Sequence, residues 1–250
     1  MSRVTAAFYH FLISAVVFAG LAYLVIFVWY PDFFFAIDGG WEGMRIIIGV
    51  DLVLGPLLTL VVFKSGKPGL KMDLALIGIF QTLCLTAGTY VVYSERPTFF
   101  IFYDKHFYSS SQDTFENYGR TPPNLADYPG PTPVMVYTEL PDNPIEEADI
   151  RQELFQEGIP LWIYEPVYRP LEEHMDIVLS EGAPEEEMRE RDEAGKLDQW
   201  LTKYQGSYSD FVFIPIHSRY RDVYLGIRVA TGEIIDIIEV PPPLGSVEEY

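Results

Sequence analysis

The sequence holds one cysteine in 250 residues, Cys84. No intrachain disulfide can form, and because Cys84 falls in an apolar run it says nothing about the redox compartment. Basic side chains are scarce as well: 17 Lys and Arg face 36 Asp and Glu, a formal net charge of −19. Such an acidic chain repels phosphate backbones, so nucleic acid is not an expected partner. Histidines number four. His106, His174 and His217 lie apart with no ligand spacing, and His10 sits in an apolar stretch, so no metal site is expected. A P-loop, a Gly-x-Ser-x-Gly elbow, a His-Glu-x-x-His helix and a dinucleotide fingerprint are all missing. The expectation is a protein that is not an enzyme and takes no cofactor.

What is present is apolar surface. Hydrophobic residues make up 49% and aromatics 15% of the chain, and mean hydropathy is +0.10. A positive value sits oddly with so acidic a composition until the chain is divided after residue 94. Residues 1–94 carry five basic and five acidic groups, whereas residues 95–250 carry 12 basic and 31 acidic ones. The division predicts a three-helix transmembrane domain over 1–94 and an acidic extracytoplasmic domain over 95–250.

Three apolar runs, 6–29, 46–63 and 74–93, each match the ~17–25 residues that cross ~30 Å of hydrocarbon as a helix. The first is too long for the core of a cleaved signal and is followed by two more, so it reads as an anchor. The link 64–71 carries Lys64, Lys67 and Lys71 and no acid, whereas the first link carries Asp32, Asp38 and Glu42 against Arg45 alone. The positive-inside rule therefore places the N-terminus and the lysine loop in the cytoplasm and the acidic domain on the far side. The lipid bilayer is an expected partner.

Asp51 is the outlier of the second run. A charge within a span costs about 2.5–3.5 kcal/mol on insertion scales, so intramembrane carboxylates mark candidate sites. Placed near the outer edge, it has Tyr23, Thr86 and Thr89 at its expected depth. Either it is satisfied inside the bundle, or it faces a groove and meets a polar or cationic group of a partner helix. Gly49 and Gly55 permit close helix approach, and Pro56 frees the carbonyl of residue 52. Asp73 reads as an N-cap of the third helix, and Gln81 as interhelical glue.

Beyond the membrane the periodicity changes. Residues 98–103 and 107–110 around Asp104 and Lys105 read as a hairpin or two short strands. A proline-rich loop fills 118–133, and 134–140 is a strand. Asn143 and Pro144 open a helix that Gly158 stops. Residues 161–164 read as a short strand, followed by helices over 170–180 and 184–204. The finish, 211–217, 223–230 and 233–240, reads as an antiparallel meander. The predicted fold class is thus membrane α-helical with three transmembrane helices, plus a C-terminal α+β extracytoplasmic domain with an antiparallel sheet.

Gly39-Gly40-Trp41, Arg45 and the run Gly49-Val-Asp-Leu-Val-Leu-Gly-Pro-Leu-Leu-Thr-Leu60 closely resemble the type IV pilin accessory proteins, the TfpX/TfpZ-like family. The similarity continues at Asp73-Leu-Ala, Arg96-Pro97 and Phe102-Tyr103-Asp104. It returns at Phe211-Val-Phe-Ile-Pro215, Arg219-Tyr-Arg-Asp222 and Leu225-Gly-Ile-Arg228. Residues 140–205 match only in general character. The resemblance implies an inner-membrane accessory or chaperone-like protein that helps a cognate type IV major pilin mature, stay available or enter the fibre. It implies no enzymatic activity and no cofactor. Gly49, Asp51, Gly55 and Pro56 in the membrane, with Asp104, Arg219, Tyr220, Arg221 and Asp222 outside it, are the candidates for partner contact or for fold. Arg219–Asp222 also fits a charged turn between strands. Two other classes remain: a membrane-anchored periplasmic sensor, for which an eight-residue cytoplasmic loop is a small output, and a pilin-modifying enzyme, which needs a convergent polar pocket.

Overall fold

The computed structural model describes residues 1–242. Contacts divide the chain into two units, Met1–Arg96 and Pro97–Tyr250.

The first unit is three helices, Arg3–Trp29, Gly40–Val62 and Leu70–Ser94, each long and apolar enough to cross a membrane. Their outward faces stay apolar and exposed, as at Val16, Val61 and Leu83, which suits a hydrocarbon solvent. The second helix begins at Gly40, six residues before the apolar run. Gly39, at φ +95°, makes the turn into it, a conformation that costs an L side chain energy. The third helix begins at Leu70, with Gly69 at φ +82° as its N-cap. Asp73 is therefore not the cap that the sequence suggested. It lies a turn inside and pairs with Lys67 at 2.5 Å.

Two stretches are π-helical, Val25–Trp29 and Ile48–Leu54. The second runs into Gly55 and Pro56. Proline has no N–H for the carbonyl four residues back, so the hydrogen-bond ladder shifts register ahead of it. Tyr30, buried, donates its hydroxyl to the carbonyl of Val92 at 2.9 Å and so ties the end of the first helix to the third.

The second unit is a seven-stranded sheet in the order β4-β3-β1-β2-β5-β6-β7. The strands are β1 Phe99–Tyr103, β2 His106–Ser110, β3 Val134–Thr138, β4 Tyr168–Pro170, β5 Phe211–His217, β6 Val223–Arg228 and β7 Ile234–Ile238. The β5-β6-β7 meander is antiparallel, as are β1–β2 and β3–β4. Two parallel joins, β1–β3 and β2–β5, make the whole sheet mixed.

Helices and short turns cover it. Asn143 caps Pro144–Glu157 through Ile145 N, and Gly158, at φ +67°, ends it. On one sheet face Phe99, Ile101, Val136, Leu154 and Ile163 form one core. Met188, Leu197, Trp200, Phe211 and Phe213 form a second. Each fully buried Phe or Leu contributes about 1.5–3 kcal/mol.

Three local expectations fail for identifiable reasons. Residues 184–204 are two helices, Glu185–Arg191 and Lys196–Lys203. The Asp192 carboxylate accepts from the N–H groups of Lys196 and Leu197, both at 2.8 Å, and so starts a new helix. Leu161–Ile163 is a 3-10 turn; the strand of that region is β4, after Pro166. The stretch 170–180 divides as well: Pro170 closes β4, and a 3-10 turn over Leu171–His174 leads into the helix Met175–Ser180.

Candidate functional site

In the first unit a few polar side chains are buried inside the bundle. Asp51, Thr59 and Gln81 are 5%, 3% and 8% exposed. Thr59 shares a 2.6 Å hydrogen bond with His10 Nδ1 across the first and second helices. Gly55 works as expected: a Cβ there would lie 1.9 Å from Gln81 Nε2, so the missing side chain admits the amide of the third helix. Gly49 has open space around it and admits no neighbour. Pro56 follows the π-helical segment in which Asp51 sits.

Asp51 departs from its expected surroundings. Because the helix starts at Gly40, Asp51 lies near the middle of the span. Tyr23 is 61% exposed and points outward, and Thr86 is exposed. The group that acts electrostatically on Asp51 is His10, the histidine to which the sequence assigned no role. No hydrogen bond to Asp51 is found among the described residues. What remains is a buried carboxyl group in an apolar bundle, with His10 acting on it electrostatically.

In the second unit the candidates fall into two turns. Asp104, at φ +46°, and Lys105, at φ +67°, are the two central residues of the β1–β2 hairpin. Two consecutive positive φ values are the signature of the tight turn whose twist suits antiparallel strands. The Asp104 carbonyl accepts from His106 Nδ1 at 2.6 Å. Arg219–Asp222 form the turn between β5 and β6. The Ser218 hydroxyl accepts from Arg221 N at 3.3 Å, and Arg221 pairs with Glu239 at 3.0 Å. The Arg219 guanidinium lies 5.8 Å from the ring of Tyr220, which is half exposed. Asp222 stands 3.3 Å from His217 Nδ1.

The parallel pairing of β2 with β5 brings these turns to one aromatic strip. The rings of His106 and His217 stack at 5.0 Å, Tyr108 lies 5.2 Å from His217, and Trp162 stacks on Tyr108 at 4.8 Å. Burial, aided by the nearby Asp104 and Tyr103, pushes the Tyr108 phenol up to about 12. Burial pushes the His217 imidazole below its ordinary value, Asp222 pulls it back up, and His106 adds to the lowering. The sequence held no signal for this cluster, since its members meet only through strand register. Among the described residues no group of three or more His, Cys, Asp or Glu is placed to hold a metal ion.

Residues 1–39 match the family described as Fimbrial assembly protein FimB. Over 96 residues the chain is 38% identical to the fimbrial assembly protein, serogroups C1 and C2, of Dichelobacter nodosus, covering 72% of that protein and 37% of this chain. The chain belongs to the fimbrial assembly protein family. Within it, the serogroup I and serogroup E1 proteins of the same organism are also 38% identical over 96 residues. There the match covers 37% of each relative, so the chain spans little more than a third of these curated fimbrial assembly proteins. The family match takes in the first membrane helix with His10 and the segment through Gly39. No solved structure matches this chain.

Proposed function

We propose that this protein is a non-catalytic accessory protein of the bacterial inner membrane, of the TfpX/TfpZ-like kind. It supports the maturation, stability or assembly of a cognate type IV major pilin in a chaperone-like way. The observation that carries the reading is membership of the fimbrial assembly family in a chain with three membrane-length helices. The helices offer a bundle with a polar interior at Asp51, beside which the apolar helix of a fimbrial subunit can lie. The acidic second unit offers a sheet to the subunit's head. The test is deletion of the gene, comparing total pilin with surface piliation. Pilin that accumulates while surface fibres fall at least about tenfold is the expected result, equivalent to ~1.4 kcal/mol in an assembly equilibrium. Unchanged piliation overturns the reading.

The orientation that goes with it has the N-terminus and Lys64–Lys71 in the cytoplasm and the second unit in the periplasm, because lysines are retained on the cytoplasmic side. A reporter that works only outside the cytoplasm is expected to be active when fused after Tyr250. A cytoplasmic one is expected to be active at Gly66. The reverse pattern would place the acidic unit on the wrong side for contact with a subunit's head.

A further inference from the structure

The sheet of the second unit is held together unevenly. β5 and β6 share six paired positions and β1 and β2 share five, but β2 and β5 share two, Phe107 with Ile216 and Tyr108 with His217. That seam lies between the two cores, one built on β1–β3 and the other on β5–β7. Side chains alternate faces along a strand, so Tyr108 and His217 share the face on which both cores lie. The opposite face has a strap. His174 stacks on Tyr137 at 4.4 Å, and nine residues later Ala183 N donates to the Phe213 carbonyl at 2.8 Å. The segment between them thus crosses from β3 to β5. A strapped back and a two-pair seam make a hinge, and the stacked rings of His106 and His217 sit on its open side.

We propose that His106 and His217 are a proton-operated latch: with neutral rings the β2–β5 seam is closed, and protonation of both rings opens it. Each Nδ1 faces an oxygen, the Asp104 carbonyl at 2.6 Å and the Asp222 carboxylate at 3.3 Å. Each Nδ1 therefore donates, and the added proton goes to Nε2. The first proton is balanced by Asp222. The second places two cations in rings 5.0 Å apart, in a half-buried strip where charge is poorly screened.

The other groups around the strip do not cancel that repulsion. The acidic side chain of Asp104 faces it from the hairpin turn, where it is exposed and its charge is screened by water. The Tyr108 phenol, pushed up by burial, stays neutral. Arg151, from the helix Pro144–Glu157, lies 3.3 Å from the Tyr103 hydroxyl and is held by Glu147 at 2.9 Å. Arg221 is held by Glu239 and Lys105 by Glu181. The sign follows from His217, whose folded value lies below its ordinary one. Closure is complete above the unfolded value of about 6.5 and is lost as pH falls through the folded value. Opening uncovers Tyr108 and Trp162 between the two cores, and this holds whichever step of fimbrial assembly the protein serves.

The test is amide hydrogen exchange on the full-length protein in lipid nanodiscs at pH ~8 and ~5.5, corrected for intrinsic rates. Peptides covering β2 and the end of β5 are expected to lose protection about tenfold or more at the lower pH, while β6 changes less than about twofold. The double variant His106→Gln with His217→Gln is expected to abolish the difference. Seam peptides that follow β6, or a double variant that keeps the loss, overturn the latch. If the double variant does not fold, imidazole titration by NMR decides with His106→Gln alone. Relief of the depressed His217 titration supports the coupling, and an unchanged His217 refutes it.

Discussion

Gly226→Val is expected to unfold the second unit at temperatures where the native protein is intact. Gly226 stands in the middle of β6, paired with Phe213 on one side and Asp236 on the other. A Cβ there would lie 2.4 Å from Trp200 Cζ2 and 3.3 Å from Phe213 Cε1. Trp200 occupies the slot that the missing side chain leaves, and it is wedged edge-on against Phe211 and Phe213 at 4.9 and 5.3 Å. A branched side chain must displace the indole or the strand. Overpacking of a filled core costs about 1–3 kcal/mol and occasionally more; two fixed neighbours place this case at the upper end. Thermal melting followed by near-ultraviolet circular dichroism checks it. Val229→Ala, at an exposed position beyond the same strand, is the control and should melt within about 0.5 kcal/mol of the parent protein. A Gly226→Val protein as stable as the control would mean that Trp200 does not depend on the slot.

Asp51→Leu is expected to separate stability from function. The carboxyl group is 5% exposed within an apolar bundle, where insertion scales assign a charged residue about 2.5–3.5 kcal/mol. A leucine removes that burden, so the variant should be at least as abundant in the membrane fraction and more resistant to heat in detergent. If Asp51 serves the subunit, surface piliation should fall about tenfold at undiminished protein level, a change of ~1.4 kcal/mol. Asp51→Asn keeps the shape and a hydrogen-bonding end, and it isolates the contribution of charge. Normal piliation in both variants would leave Asp51 a packing residue. Loss of the protein from the membrane in both would make it a folding residue and remove its support as a contact for the subunit.

The elements most legible in the sequence were those set by local chemistry. Three membrane helices follow from runs that only hydrocarbon can satisfy. The helix Pro144–Glu157 follows from Asn143 and Gly158, and the final meander from alternating branched and aromatic residues. Where local signals competed, the reading slipped. Asp192 carries a capping carboxylate in the middle of an otherwise helical run, and Leu161–Ile163 has strand-like residues but no neighbour to pair with. Asp51 was recognisable from composition as a charge in the wrong solvent, because hydration energies are properties of the residue itself. Its neighbours were not recognisable, since they depend on where the second helix starts and which faces of three helices meet. In the same way Asp104 and Asp222 could be named from the chain. That each stands beside a histidine, and that the two histidines stack on the seam with the fewest paired positions, was decided by the parallel register of β2 against β5, a pairing between distant strands that no local pattern encodes.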